Sequence, residues 1–196
     1  MESEMAGKLT SPLYSTLLKV RDRLRETGHR LVLAESCTAG MVAAELGQIP
    51  GISEFLCGSM VVYRTPTKIA WLDISPVDLA DKAIGPVSAR VTQSLALALL
   101  NRTPEATIAA AITGHLGPNA PPGWDGVVFC AVSGRTTRSD EMLLRRFALQ
   151  SPCATSAADT ARRRERQSEA AYALLGLIGE YLASESRLPI IVDENR

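Results

Sequence analysis

The sequence predicts an α/β fold, a three-layer α/β/α sandwich around a mixed, mainly parallel sheet. Three observations predict it. Short, largely apolar runs at 31–34, 106–113 and 127–133 are continuous rather than alternating, which marks strands covered on both faces. These runs are separated by stretches whose apolar residues recur at helical spacing, as at Leu13, Leu17, Val20 and Leu24. Late in the chain two strand-like runs, 127–133 and 141–149, follow each other with no helix between them, which adds hairpin-like strands to a parallel core.

The elements follow in order. Residues 1–10 carry acids and no apolar core, so they read as a tail and not as a signal peptide. Ser11-Pro12 caps a helix that Gly28 ends. Residues 30–34 form the first strand, and a helix over 39–46 stops near Gly47. The loop 49–53 leads into a β-rich stretch at 54–63 whose Gly58 marks a bulge. Thr65-Pro66 reads as an N-cap and first helical residue, which predicts a short helix over 65–72. Residues 73–83 read as loop plus a short helix, and Val87-Ser88 opens a helix over 89–101. The strand 106–113 ends in the polar turn Thr113-Gly114-His115, followed by a proline- and glycine-rich loop at 116–126. After the strands 127–133 and 141–149 comes a helix over 157–183 with a basic run at Arg162, Arg163, Arg164 and Arg166. This organisation predicts one domain over 11–184, with a second tail at 185–196.

Composition narrows the function. The 196 residues are 46% hydrophobic and 21% charged, which suits a globular chain with a core. Lys plus Arg, at 21, equals Asp plus Glu, at 21, so no basic field points to nucleic acid. Aromatics, at 5%, are too few for a base-stacking platform. Four cysteines without a C-x-x-C pair and two histidines give no metal-site spacing, so neither metal nor cofactor is expected. No apolar run approaches the ~20 residues that cross a membrane. A cytoplasmic chain with free thiols is the expectation. The apolar face of the last helix and the segment 188–192 suggest a homo-oligomer.

The chemistry concentrates where strand 30–34 ends. Glu35, Ser36, Cys37 and Thr38 form a polar turn that opens a helix, so hydroxyls and free helix N–H groups meet at the carboxyl end of a strand. Ligands of open α/β sheets sit at such edges. Thr113 ends a second strand beside glycine turns, and a site fits between the two ends. Ser36 is either a helix cap or a nucleophile, and a serine nucleophile needs a base. Lys68, one turn inside a helix, is either a solvated side chain or that base, because a helix N-terminus and partial burial both disfavour its ammonium. Tyr63 is either a core aromatic or a group that orients the lysine. Cys37 reads as a small buried filler or a thiol nucleophile, and the arginine run as a solvated face or an anion site. Helix N–H groups after Ser36 are available for an oxyanion or a phosphate.

The order of these pieces resembles the CinA C-terminal domain family. Ala34-Glu35-Ser36-Cys37-Thr38-Ala39-Gly40 is similar to its A-E-S-C-T-G-G signature, and Ile49-Pro50-Gly51-Ile52-Ser53 to its V-P-G-(S/A)-S loop. Gly58-Ser59-Met60-Val61-Val62-Tyr63 with Lys68 resembles its G-G-V-V-(A/S)-Y-x4-K segment. Gly85-Pro86-Val87-Ser88 is similar to G-A-V-S, and Ile112-Thr113-Gly114 with Gly117-Pro118 to (V/I)-(T/S)-G-x-A-G-P. The resemblance spans roughly residues 13 to 183. It implies a nicotinamide-nucleotide amidohydrolase that converts nicotinamide mononucleotide to nicotinate mononucleotide and ammonia without a metal. It implies Ser36 as nucleophile, Lys68 as base and Tyr63 in support. Glu35, Cys37, Thr38, Gly40, Thr113, Gly114 and Gly117 then line the substrate, and Arg162 or Arg166 meets its phosphate. It further implies a stand-alone form lacking the pyrophosphatase-like domain of longer members.

One segment departs from the pattern. Where the family continues with glycines and then K-P-V-G-T-V, this chain reads Asn119-Ala120-Pro121-Pro122-Gly123-Trp124-Asp125-Gly126-Val127-Val128, and His115 replaces an apolar residue. The altered loop leaves a second reading beside the enzyme, a nucleotide-binding or sensor module without turnover. A third is an amidase that uses Cys37.

Overall fold

The computed structural model describes residues 12–135, 142–156 and 158–185. The expected tail at 1–10, the Ser11 cap, the Glu141 start of the last strand and the segment 188–192 lie outside them. So does all but the first residue of the expected tail 185–196.

The chain runs α1 (Pro12–Thr27), β1 (Leu31–Glu35), α2 (Met41–Leu46), a 3-10 turn (Ile52–Glu54), β2 (Leu56–Val61), α3 (Thr65–Leu72) and α4 (Pro76–Ala80). It continues α5 (Ala89–Arg102), β3 (Ile108–Gly114), β4 (Val127–Gly134), β5 (Leu143–Ala148) and α6 (Thr160–Glu185). The sheet order is β2-β1-β3-β4-β5. β1 pairs parallel with β2 and β3, while β4 is antiparallel to β3 and β5. Only β4 therefore runs against the others, and the sheet is mixed but mainly parallel, as the sequence pattern predicts.

Side-chain alternation along the strands makes two cores. Leu31, Leu33, Ile108, Ala110 and Ile112 pack with α1, α2 and α6. Val32, Ala34, Ala109 and Ala111 face the other way, toward Leu72 of α3, Leu79 of α4 and Val91, Leu95 and Leu99 of α5. Alanines dominate β3 on this second face, and Ala96 of α5 is fully buried with them, so small side chains bring helix and sheet close. Each buried Leu or Val adds roughly 1.5–3 kcal/mol relative to exposure.

Register places the site. Glu35 pairs with Val61 on one side and Ile112 on the other, and Thr113 pairs with Phe129. The residues one step beyond Glu35 and its partners thus form a row across the sheet edge: Val62, Ser36, Thr113, Phe129. Most boundaries shift from the sequence expectation by one to three residues, as ends do. The helix after β1 begins at Met41 rather than 39, because Ala39 and Gly40 take positive φ to turn the chain (φ 54 and 92).

Candidate active site

The turn after β1 is built around Glu35. Its side chain is fully buried, and its carboxylate accepts from groups on both sides of the turn. Oε2 accepts from Thr38 Oγ1 at 2.7 Å, Gly40 N at 3.0 Å and Val42 N at 3.1 Å. Oε1 accepts from Ala43 N and from Ser59 Oγ of β2, both at 3.0 Å. The first N–H groups of α2 are therefore occupied by an internal anion, which also suits the helix dipole. This corrects the expectation that these N–H groups are free for an oxyanion or a phosphate. Neither Ser36 nor Thr38 caps α2: the N-cap is Gly40, with no side-chain cap bond. Thr38 instead spends its hydroxyl proton on Glu35.

Held by this clamp, Ser36 emerges at the sheet edge, 7% exposed. Lys68 Nζ lies 3.0 Å from Ser36 Oγ and donates to the Val62 carbonyl at 2.6 Å. Lys68 reaches this point from the first turns of α3, with Pro66 in the first turn and Thr67 Oγ1 accepting from Arg64 N. Its side chain is 2% exposed, and burial lowers its pKa from 10.5 to about 8. A large fraction of the amine is neutral near pH 8. In that form it donates to Val62 O and offers its lone pair to the Ser36 hydroxyl, which the neighbouring strand end presents to it.

On the far side of Ser36 stands Thr113, also buried. Thr92 of α5 donates to Ser88 O at 2.7 Å, and Thr92 and Thr113 hydroxyls are 2.8 Å apart. Since Thr92 has one proton and gives it to Ser88, Thr113 is the donor to Thr92. Ser88, the N-cap of α5, accepts from Val91 N.

The remaining site residues take distinct places. Cys37 is buried, and desolvation pushes its thiol up to about 12, so it stays protonated and unreactive. Gly114 is needed for contact: a Cβ there would sit 2.4 Å from Val128 Cγ1 and 3.0 Å from Cys37 Sγ. Gly117 has φ +62, and its Cβ would come 2.3 Å from Cys153 Sγ. Tyr63 is half-exposed rather than a core residue, and its hydroxyl accepts from Arg163 Nη2 at 2.8 Å. Arg163 also donates through Nη1 to the Gly117 carbonyl. It borders a cavity of about 290 Å³ lined also by Pro118, Asn119, Ser156 and Asp159.

The two arginines expected at a phosphate are engaged elsewhere. Arg166, 4% exposed, forks onto Asp125 at 2.7 and 2.9 Å and donates to Ser151 O. Asp125 belongs to the unusual loop, so this pair ties that loop to α6. Arg162 pairs with Asp159 at 3.5 Å. Arg163, not singled out from the run, is the guanidinium that joins Tyr63 to the Gly117 turn. It follows Arg162 by one residue and precedes Arg166 by three, and only packing of α6 chooses among the three. Among the described residues no cluster of His, Cys, Asp and Glu could hold a metal. No helix among them is long and apolar enough to cross a membrane.

Known proteins share this architecture. The structure of competence damage-inducible protein A from Klebsiella pneumoniae superposes with a TM-score of 0.74 at 24% identity, covering 88% of this chain and 98% of that one. A CinA superfamily protein from Enterobacter cloacae gives a TM-score of 0.74 at 23% identity, covering 88% and 94%. In sequence, a CinA-like protein of Myxococcus xanthus is 35% identical over 127 residues, 63% of this chain but 30% of that relative. One from Chlorobium phaeovibrioides is 42% identical over 99 residues, 50% of this chain and 22% of that relative. The alignments thus span under a third of these curated relatives. The family model for the CinA C-terminal domain matches residues 14–178. With fold, motif order and family match in agreement, this chain belongs to the CinA C-terminal domain family.

Proposed function

We propose that this chain is a serine amidohydrolase that converts nicotinamide mononucleotide to nicotinate mononucleotide and ammonia. The observation that carries the reading is the 3.0 Å approach of a buried lysine, its pKa lowered to about 8, to a serine at the sheet edge. A serine activated by a lysine base suits acyl transfer at an amide. The substrate itself is inferred from the family resemblance of the motifs around Ser36, Tyr63 and Lys68.

In the first half-reaction Lys68 takes the Ser36 proton as Oγ attacks the carboxamide carbon. The backbone N–H groups of Cys37 and Thr38, which follow Ser36 in the turn, serve as oxyanion donors. Lys68 then returns the proton to the departing nitrogen, ammonia leaves, and a nicotinoyl ester of Ser36 remains. In the second half-reaction Lys68 accepts a proton from water as the water attacks the ester. Collapse returns that proton to Ser36 Oγ and frees the carboxylic acid, which loses its remaining proton to solvent to become the carboxylate. Val62 O keeps the amine aimed throughout. Thr113, with its own proton committed to Thr92, presents lone pairs to the pocket. Arg163 beside Tyr63 is the guanidinium assigned to the phosphate, a role its forked geometry suits. Glu35 and the glycines hold the turn rather than touch substrate, and no cofactor is required.

The test is ammonia release from nicotinamide mononucleotide by purified protein, with Ser36→Ala beside it. Turnover that falls about 10⁴-fold in the variant supports the mechanism. No turnover in the wild type, or undiminished turnover in Ser36→Ala, overturns it.

A further inference from the structure

The loop that departs from the family pattern brings an aromatic cluster to the same sheet edge. Thr113 stands beside Ser36 in the row across the sheet, and Phe129 stands beside Thr113. With neighbouring strands about 4.8 Å apart, the backbones of Ser36 and Phe129 are separated by about 10 Å. Directly paired residues point to one face, so Ser36, Thr113 and Phe129 share the face that carries Lys68.

Trp124 packs against Phe129 of this row. Its ring centroid is 6.1 Å from that of Phe129, with the planes tilted by 41°. The His115 ring meets it edge-on at 6.1 Å and 76°. Two aromatic neighbours at different angles fix the orientation of the indole. The backbone is fixed as well. Trp124 N donates to Pro121 O, Val127 N donates to Trp124 O, and Gly126 N donates to His115 O. The next residue, Asp125, is locked onto buried Arg166. Trp124 nevertheless remains only half-buried. Burial lowers the pKa of His115, which favours its neutral imidazole.

We propose that the Trp124 indole is the stacking wall of the substrate pocket and selects a planar, positively charged aromatic ring, as in a pyridinium nucleotide. This rests on the amidohydrolase reading for the identity of the ring. In this reading the ring attached to an amide carbon at Ser36 extends along the row, toward Phe129 and Trp124. A tryptophan face is the best side-chain partner for a flat cation. The wall supplies ring recognition at one end of the row, while Lys68 supplies the base at the other.

The chain has two tryptophans, and Trp71 is an exposed residue on the outside of α3. In a Trp71→Phe background, fluorescence reports Trp124 alone. Nicotinamide mononucleotide should quench it saturably. Ribose 5-phosphate, which lacks the ring, should not, and reduced nicotinamide mononucleotide, whose ring is uncharged, should bind at least several-fold more weakly. Trp124→Ala should raise KM about tenfold or more with kcat within about threefold, while Trp124→Phe restores most of the loss. Unchanged KM in Trp124→Ala, or no quenching at concentrations that saturate turnover, overturns the wall. If wild-type protein shows saturable quenching but releases no ammonia, the wall stands and the amidohydrolase reading falls. Ammonia release with no quenching and an unchanged KM removes the wall alone.

Discussion

Lys68 Nζ sits 3.0 Å from Ser36 Oγ, although 32 residues separate them in the chain. The amine is buried beside the Val62 carbonyl and the Ser36 hydroxyl, and no carboxylate among the described residues forms an ion pair with it. Burial therefore favours the neutral form.

The sign of the pH dependence follows. The active form needs a neutral Lys68, so kcat/KM should rise about tenfold per pH unit below an apparent pKa near 8 and level off above it. Lys68→Arg keeps a cation of high pKa and should lose at least about 10³-fold in kcat without recovery at high pH. A pH–rate profile of ammonia release checks both. A flat profile from pH 6 to 9 would remove Lys68 as the base.

Arg163 is the arginine to alter for substrate affinity. It joins Tyr63 Oη and the Gly117 carbonyl, whereas Arg162 pairs with Asp159 and Arg166 with Asp125. Arg163→Ala should raise KM for the mononucleotide about 10- to 100-fold, with a smaller change in kcat. Arg162→Ala should change KM by less than about threefold. Steady-state kinetics of the two variants side by side distinguishes them.

Glu35 is a structural test rather than a catalytic one. Five donors converge on its two oxygens. In Glu35→Gln the amide NH2 faces donors in place of an acceptor, which costs about 3 kcal/mol and lowers Tm by roughly 6–12 °C. Thermal unfolding by circular dichroism measures it. A Tm within 2 °C of wild type would show that the clamp contributes little.

The Asp125–Arg166 pair makes the divergent loop part of the fold. The Arg166 hydrogen bonds hold the Asp125 carboxyl below its usual pKa. The folded state therefore binds its proton less readily than the unfolded chain. The stabilisation is present above the unfolded pKa, about 3.9, and is lost as pH falls through the folded value. Asp125→Asn leaves a buried guanidinium without its counter-charge. It should cost about 1–3 kcal/mol at neutral pH, at the low end because Asp125 is 45% exposed. The gap in Tm between wild type and variant should close on acidification below pH 4.

The local steps of the fold were readable before any tertiary information. Continuous apolar runs marked β1, β3 and β4, because strands covered on both faces have no polar positions to alternate. Thr65-Pro66 marked the span of α3, since proline at the first turn loses no hydrogen bond, but the cap falls one residue earlier: Arg64 is the N-cap and Thr65 already lies in the helix. The order of Ser36, Tyr63 and Lys68 pointed to a serine–lysine site. Other features were not readable. Glu35 looked like a ligand-binding acid, because a carboxylate that satisfies its own turn and one that awaits a ligand have the same sequence. Among three neighbouring arginines, helix rotation and partners from three loops decide which one meets Tyr63.

By itself the sequence determined the alternation of strands and helices, the polar turn at the end of β1 and the set of residues able to do acyl-transfer chemistry. These depend on local periodicity and on side-chain chemistry, which are properties of short segments. Tertiary structure alone decided which groups meet. Parallel pairing of β1 with β2 and β3 brings Val62, Ser36 and Thr113 into one row, and α3 then buries Lys68 over it. That burial makes the lysine a base, because desolvation acts only once distant segments have excluded water from the amine.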